Sequence, residues 1–221
     1  MNEELLRRAL QRFDALNAED PRTLSVDGVE RPRELVRADW LERWVLRLAP
    51  DASVPLRLAA RSQHLQRWAI PRKDYPEGRL GYLEWRKVLA RHHATLAATV
   101  LEELGFDAPT RDALRAIQLK QGLKTNPDTQ VMEDALCLSF LEHEFADFAA
   151  QHDDAKVIDI VRKTWRKMSA AGQAEALRLA LPPAARRLVE LALGAELERD
   201  AVADLEPGLL AGVLHEPHDV A

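Results

Sequence analysis

Apolar side chains recur three and four positions apart along most of this chain, which is the spacing of an amphipathic helix. No segment keeps the strict alternation of apolar and polar residues that marks a half-buried strand. The predicted helices cover residues 3–16, 33–48, 54–68, 83–104, 110–121, 131–148, 153–168, 171–181 and 183–197. The pattern therefore predicts an all-α fold, with a single globular multi-helix domain over residues 1–199 and a poorly ordered tail over residues 200–221.

Three polar segments interrupt the predicted helices. Residues 18–32 contain Pro, Gly and Asp and are predicted to form a surface loop. Residues 71–81 hold two prolines and two glycines, which exclude a regular helix there, and residues 124–128 form a predicted turn. We expect no sheet in this fold.

Asp134 lies near the centre of the apolar face of the predicted helix 131–148. A lone carboxylate in an apolar interior costs several kcal/mol unless it is paired, hydrogen-bonded or metal-bound. His93 lies on the apolar face of another helix, and His64 lies beside Arg61 and Trp68 on a third. We expect the three side chains of His64, His93 and Asp134 to meet in one cavity, where they would suit a divalent ion such as Mn, Fe, Co or Zn. The alternative is a set of satisfied core residues without a metal.

Basic and aromatic side chains gather around the predicted histidine helices. The loop 71–81 joins the His64 helix to the His93 helix, so we expect it to cover their ends. Arginine suits bidentate capture of phosphate or carboxylate, and prolines lower the entropy cost of holding such a loop. These features predict a site for a small anionic ligand, although an ordinary surface loop is the alternative. The candidate ligand-binding residues are Arg61, Arg72, Tyr75, Arg79, Tyr82, Arg86 and Lys124.

Composition narrows the class of protein further. The net charge of −5 and the absence of a strongly basic segment argue against general nucleic-acid binding. The one cysteine, Cys137, cannot form an intrachain disulfide, and no apolar run approaches the length that spans a bilayer. The first residues lack a signal-peptide core, so we expect a cytoplasmic protein without membrane contact. The pattern does not predict an oligomeric state.

Four segments of the chain resemble one family. QHLQRWAIPR, YPEGRLGYLEWR, EDALCLSFLE and KTWRKMS are similar to an uncharacterised bacterial and fungal family called domain of unknown function 4202. The likeness runs from about residue 35 to about residue 181. The resemblance implies a shared fold, and it implies no particular reaction.

A second resemblance is to the HD superfamily of all-helical, metal-dependent phosphohydrolases. HHATLAATVLEELGFD is similar to the helix that opens with the first metal-binding histidine, with His93 in that place. EDALCLSFLE is similar to the helix of the final aspartate, with Asp134 in that place. Where the His-Asp pair should follow RDALRAIQ, the chain has LKQGLK, so Lys120 and Gln121 stand there. The likeness implies either that His64 restores a ligand or that Lys120 replaces the metal as a fixed charge.

Three functions are compatible with these patterns. The first is a metal-dependent hydrolase of a small phosphorylated compound, in which Glu133 accepts a proton and Lys120 supplies positive charge. The second is a non-catalytic helical protein that binds a ligand or partner and keeps a buried His/Asp network. Another metal-dependent helical enzyme, such as an oxygenase, is a third alternative.

Overall fold

Helices dominate the part of the chain that the structure, a computed structural model, describes, which is residues 3–194. The prediction of an all-helical fold class is confirmed in this mostly α form. The helices are α1 (Glu3–Ala18), α2 (Arg33–Leu48), α3 (Val54–Ser62), α4 (Gly78–Glu103), α5 (Ala108–Gln118), α6 (Pro127–His143), α7 (Phe145–Ala150), α8 (Asp154–Trp165) and α9 (Ala170–Ala176). Residues 183–194 are also helical, and short 3-10 turns lie at Arg67–Ala69 and Arg72–Asp74.

Polar side chains fix where several helices begin. Ser53 accepts a hydrogen bond from the Leu56 backbone N–H ahead of α3, and Asp107 accepts one from Thr110 ahead of α5. Asp153 does the same for α8. These caps satisfy backbone donors that the first turn of a helix leaves without partners.

The prediction of a loop over residues 18–32 is wrong, because the segment contains a β-hairpin. Strands β1 (Thr23–Val26) and β2 (Val29–Pro32) pair antiparallel, with Val26 opposite Val29. Asp27 and Gly28 connect the strands at φ values of 52° and 79°. An Asp-Gly pair between apolar residues is a strong hairpin signal, since both residues tolerate positive φ. The strands were missed because each has only four residues, which is too few for alternation to stand out.

Two predicted helices are interrupted in the structure. The helix expected over residues 54–68 ends at Ser62, and Gln66 adopts a left-handed conformation with φ of 49°. His64 therefore lies on an irregular segment between α3 and the turn Arg67–Ala69. The helix expected over residues 131–148 is divided into α6 and α7.

The chain forms two compact units. Within the described residues, the first contains 3–141 and Met168–Leu179, and the second contains Glu142–Lys167 and 180–194. The fully buried apolar core of the first unit is formed by Phe13, Leu41, Leu56, Leu58, Leu65, Leu101, Leu114, Ile117, Met132 and Leu138. The predicted domain limit at residue 199 and the predicted tail 200–221 lie outside the described residues.

Candidate functional site

His93 is buried on α4, with 3% of its surface exposed. Its Nδ1 lies 2.7 Å from the carbonyl oxygen of Leu65, so Nδ1 carries the proton and donates it to that oxygen. Burial lowers the pKa of His93 to about 4, which keeps the ring neutral near pH 7. The other nitrogen, Nε2, is buried and has no hydrogen-bond partner among the described residues.

His64 lies beside His93 and faces a carboxylate. The two ring centroids are 6.1 Å apart in an edge-to-face arrangement. The Nδ1 atom of His64 lies 3.7 Å from Oε2 of Glu34, which is too long for a hydrogen bond. Burial lowers the pKa of His64 well below its usual range, and the charge of Arg67 lowers it further. In the described part of the chain, neither nitrogen of His64 makes a hydrogen bond.

Glu34, at the start of α2, is fully buried. Its Oε1 accepts hydrogen bonds from Arg22 at 3.0 Å and from Arg37 at 3.3 Å. Its Oε2 has no hydrogen-bond partner among the described residues and faces His64. Burial raises the pKa of Glu34, and the three nearby cations of Arg37, Arg67 and Arg22 oppose that rise. Two arginines thus orient one carboxylate toward one histidine.

Arginines surround this pair of imidazoles. The Arg67 guanidinium lies over the Trp85 ring at 4.9 Å, and it makes no hydrogen bond to the described residues. Arg86 lies over the Tyr82 ring at 5.9 Å, and both Arg67 and Arg86 act electrostatically on His64. Tyr82 is 42% exposed, so solvent reaches this side of α4. We call the residues Glu34, Arg37, His64, Arg67, Arg86 and His93 the His64 cluster.

The His64 cluster carries an excess of positive charge. Arg37, Arg67 and Arg86 contribute three positive charges to the cluster, whereas Glu34 contributes one negative charge. Both histidines are neutral near pH 7 because burial lowers their pKa values. The cluster therefore favours the binding of an anion.

Asp134 is buried as expected, but it lies elsewhere and has other partners. Its oxygens accept hydrogen bonds from the backbone N–H of Ser169 at 2.8 Å, the Ser169 hydroxyl at 2.5 Å and the Gln130 amide at 2.9 Å. Gly172 is pressed against it, since a β-carbon there would lie 2.7 Å from the Asp134 carboxyl carbon. Asp134 therefore anchors the start of α9 to α6.

The expected convergence of His64, His93 and Asp134 on a metal ion is not found. Residues 3–194 contain no group of three or more His, Cys, Asp or Glu side chains placed to hold a metal. The structure brings the two histidines together, and the carboxylate beside them belongs to Glu34. Whether this protein binds a metal stays a prediction.

Glu133 and Lys120 form an ion pair with each other. Lys120 Nζ is in close contact with Oε2 of Glu133, and Glu133 is 3% exposed. Lys120 adopts a positive φ of 57° in the turn after α5. The predicted proton acceptor and the predicted fixed charge are therefore each other's partners. Lys124, in the same turn, donates a hydrogen bond to the Met168 carbonyl at 3.4 Å.

The predicted ligand-binding arginines are divided between different surroundings. Arg61 is buried, and its guanidinium pairs with Asp14, with Asp39 at 2.5 Å and with Glu42 at 3.2 Å. These three carboxylates engage its Nε and Nη1 atoms, and ligand binding by Arg61 stays a prediction.

The remaining predicted contacts lie on the loop before α4 or on α4 itself. Arg72 donates to the backbone carbonyls of Tyr75 and Gly78, so it braces its own loop. Arg79 is exposed at the first turn of α4. Arg86 belongs to the His64 cluster, and Tyr82 lies under its guanidinium.

Glu34 and Arg67 are site residues that sequence reasoning missed. Glu34 shares one helical stripe with Ala38, Leu41 and Val45, which is the argument that identified Asp134 as buried. The same helical spacing therefore indicates that Glu34 is buried. No local pattern marks Arg67, because its position depends on the break at Gln66.

The fold and the cluster together define a helical protein with a buried carboxylate, two neutral histidines and a surrounding set of arginines. Residues 7–189 match the model of the family described as Domain of unknown function (DUF4202), and the chain belongs to that family. No curated protein and no solved structure matches the chain. Among the described residues, no helix is both long and apolar enough to cross a membrane.

Proposed function

We propose that this protein binds a small phosphorylated compound at the His64 cluster. The observation that carries the proposal is the Arg67 guanidinium, which is held over Trp85 without a hydrogen bond to the described residues and acts electrostatically on His64. A planar guanidinium that is oriented but not engaged is suited to bidentate capture of a phosphate.

Charge balance supports a dianionic ligand. The arginines of the cluster exceed its carboxylates by two positive charges, while the whole chain has a net charge of −5. This excess is therefore local, and a phosphate monoester supplies two negative charges in a compact group. The exposed ring of Tyr82 gives the rest of such a compound an apolar surface to lie against.

Metal-dependent hydrolysis of the HD type ranks second. It would need Asp134 as a ligand, and both oxygens of Asp134 are engaged by Ser169 and Gln130. It would also need Glu133 as a proton acceptor, and Glu133 pairs with Lys120. The likeness to that superfamily remains a hypothesis about distant origin.

Calorimetric titration with inorganic phosphate and a panel of small phosphate monoesters tests the proposal. The Arg67→Gln variant should bind the best ligand at least about tenfold more weakly, since a hydrogen bond to a charged group contributes roughly 1.5–3 kcal/mol. Arg91→Gln changes an exposed arginine of the same helix α4 and should leave the affinity unchanged. Equal affinity in parent and Arg67→Gln, or no binding of any phosphate compound by the parent, would overturn the proposal.

A further inference from the structure

We infer that His64 is a phosphoryl acceptor, whose Nε2 atom takes the phosphoryl group from a small phosphorylated donor and forms a phosphohistidine. The inference rests on the proposed function, because the donor must first bind at the His64 cluster. It adds a reaction to that binding and assigns the reacting atom. Histidine is one of the side chains that form covalent intermediates in group transfer.

The two nitrogens of His64 have different surroundings. Nδ1 faces Oε2 of Glu34 at 3.7 Å, so Nε2 is the ring nitrogen on the far side from that carboxylate. A carboxylate beside Nδ1 favours the tautomer with the proton on Nδ1, which leaves the lone pair on Nε2. Distances between catalytic side chains, such as the one from Nδ1 to Oε2, are often long before substrate binds, and they shorten in the reacting complex.

Glu34 is held in place for this role. Arg22 and Arg37 both donate to Oε1, so Oε2 is left facing the histidine. Oε2 is buried and makes no hydrogen bond within residues 3–194. Most buried carboxylate oxygens are hydrogen-bonded, so an oxygen that faces only the His64 ring is an exception that a role toward that ring would explain. Glu34 is therefore a positioning residue. It would stabilise the imidazolium that forms when Nε2 is phosphorylated.

The arginines supply positive charge to the phosphoryl group during its transfer. Negative charge spreads over the three equatorial oxygens of phosphorus during transfer, and fixed guanidinium groups stabilise it. Arg67 and Arg86 both act on His64 from the side of α4 and the neighbouring turn. His93, the closest ring to His64, is neutral and places no further charge against the nucleophile.

The reaction balances without any group outside the site except water. The Nε2 lone pair forms an N–P bond while the P–O bond to the donor breaks, and its electrons leave with the donor oxygen. That oxygen takes a proton from water, and the proton on Nδ1 stays beside Glu34. Water then attacks phosphorus, the N–P bond breaks with its electrons returning to Nε2, and the hydroxide left by the first step takes the proton that the attacking water loses. Inorganic phosphate then leaves. The net reaction is hydrolysis of the donor.

Radiolabelled phosphoramidate, a small phosphoryl donor in which a P–N bond breaks and ammonia leaves, provides the test with the full chain. The parent should take up label that is lost in acid and retained in alkali, and peptide mapping of the parent should find it on His64. His64→Gln should reduce uptake at least about tenfold, the change produced by 1.4 kcal/mol in a barrier. His152→Gln is the matched control, since His152 lies against Phe148 outside the cluster. Circular dichroism would verify that each variant is folded. Mapping the label in the parent tests the inference even if a variant fails to fold.

Glu34→Gln tests the positioning role separately. Label should still form on His64, but more slowly and with an altered dependence of rate on pH. Label on another residue, or uptake that persists in His64→Gln, would overturn the inference. If the parent binds inorganic phosphate, Arg67→Gln does not, and no label forms, the inference fails and the proposed function stands. Absence of both binding and label overturns the two together.

Discussion

Two neutral imidazoles lie side by side in a cluster that contains more cations than anions. His93 donates from Nδ1 to the Leu65 carbonyl, and His64 faces Glu34. Protonating either ring would add charge to a buried and already positive region. Protonation of either histidine is therefore unfavourable in the folded protein. The pH dependence of the stability measures this effect for His93.

His93 should make the protein less stable as the pH falls. Its pKa is about 4 when folded, against a usual value of 6.5, so between these values the unfolded chain binds a proton that the folded chain does not. The stabilisation is fully present above 6.5 and is lost as the pH falls toward 4. We expect a loss of roughly 2 kcal/mol in unfolding free energy between about pH 7 and about pH 5, measured by urea denaturation.

His93→Asn is the control for that measurement. The Asn amide can still donate to the Leu65 carbonyl, but it does not titrate. Between about pH 7 and about pH 5, the variant should lose roughly 2 kcal/mol less unfolding free energy than the parent. An identical pH dependence in parent and variant would show that His93 is not the group responsible.

Elements of this fold end where single residues take unusual conformations or make specific caps. Beyond the end of α3 at Ser62 the chain is irregular and places His64 3.7 Å from Glu34, and Ser169 caps α9 while it is held by Asp134. The spacing of apolar residues predicted the helices and the burial of Asp134 and His93, because burial is a property of one helical face. It could not predict that Asp134 pairs with Ser169, because that contact depends on how two distant segments pack.

Asp134→Asn should destabilise the packing of α9 on α6. The substitution keeps the size of the side chain but replaces an ionised acceptor of three hydrogen bonds with a neutral amide. We expect a loss of about 1–3 kcal/mol in the unfolding free energy, measured by urea denaturation. Asp112→Asn, on the exposed side of α5, should change it by less than about 0.5 kcal/mol. Equal effects of the two substitutions would refute the anchoring role.

The whole molecule is acidic, although the His64 cluster is basic. A net charge of −5 repels an extended polyanion, while a compact phosphate needs only the local field of the cluster. Total charge was available from the sequence, whereas the local excess arises only when α2, the turn at Arg67 and α4 meet. The match over residues 7–189 covers most of the chain, so we expect these features to bear on the family as well.

Discrimination by charge gives a prediction for the whole protein. A single-stranded oligonucleotide that lacks terminal phosphates should shift the dissociation constant for inorganic phosphate by less than about twofold, because its phosphodiesters must approach an acidic surface. Competition titrations near physiological salt would measure this. Efficient displacement by the oligonucleotide would instead indicate a nucleic-acid site, and a small phosphate monoester serves as the positive control.

Gly172 and Asp134 constrain each other as a pair. A β-carbon at position 172 would lie 2.7 Å from the carboxyl carbon of a side chain that Ser169 holds in place. A larger residue at 172 becomes possible only after the side chain at 134 has shortened, and the shortened side chain then loses its hold on Ser169. The two positions are therefore epistatic. In the history of this family, viable lineages are expected to change both positions together or to keep both, although the two lie far apart along the chain.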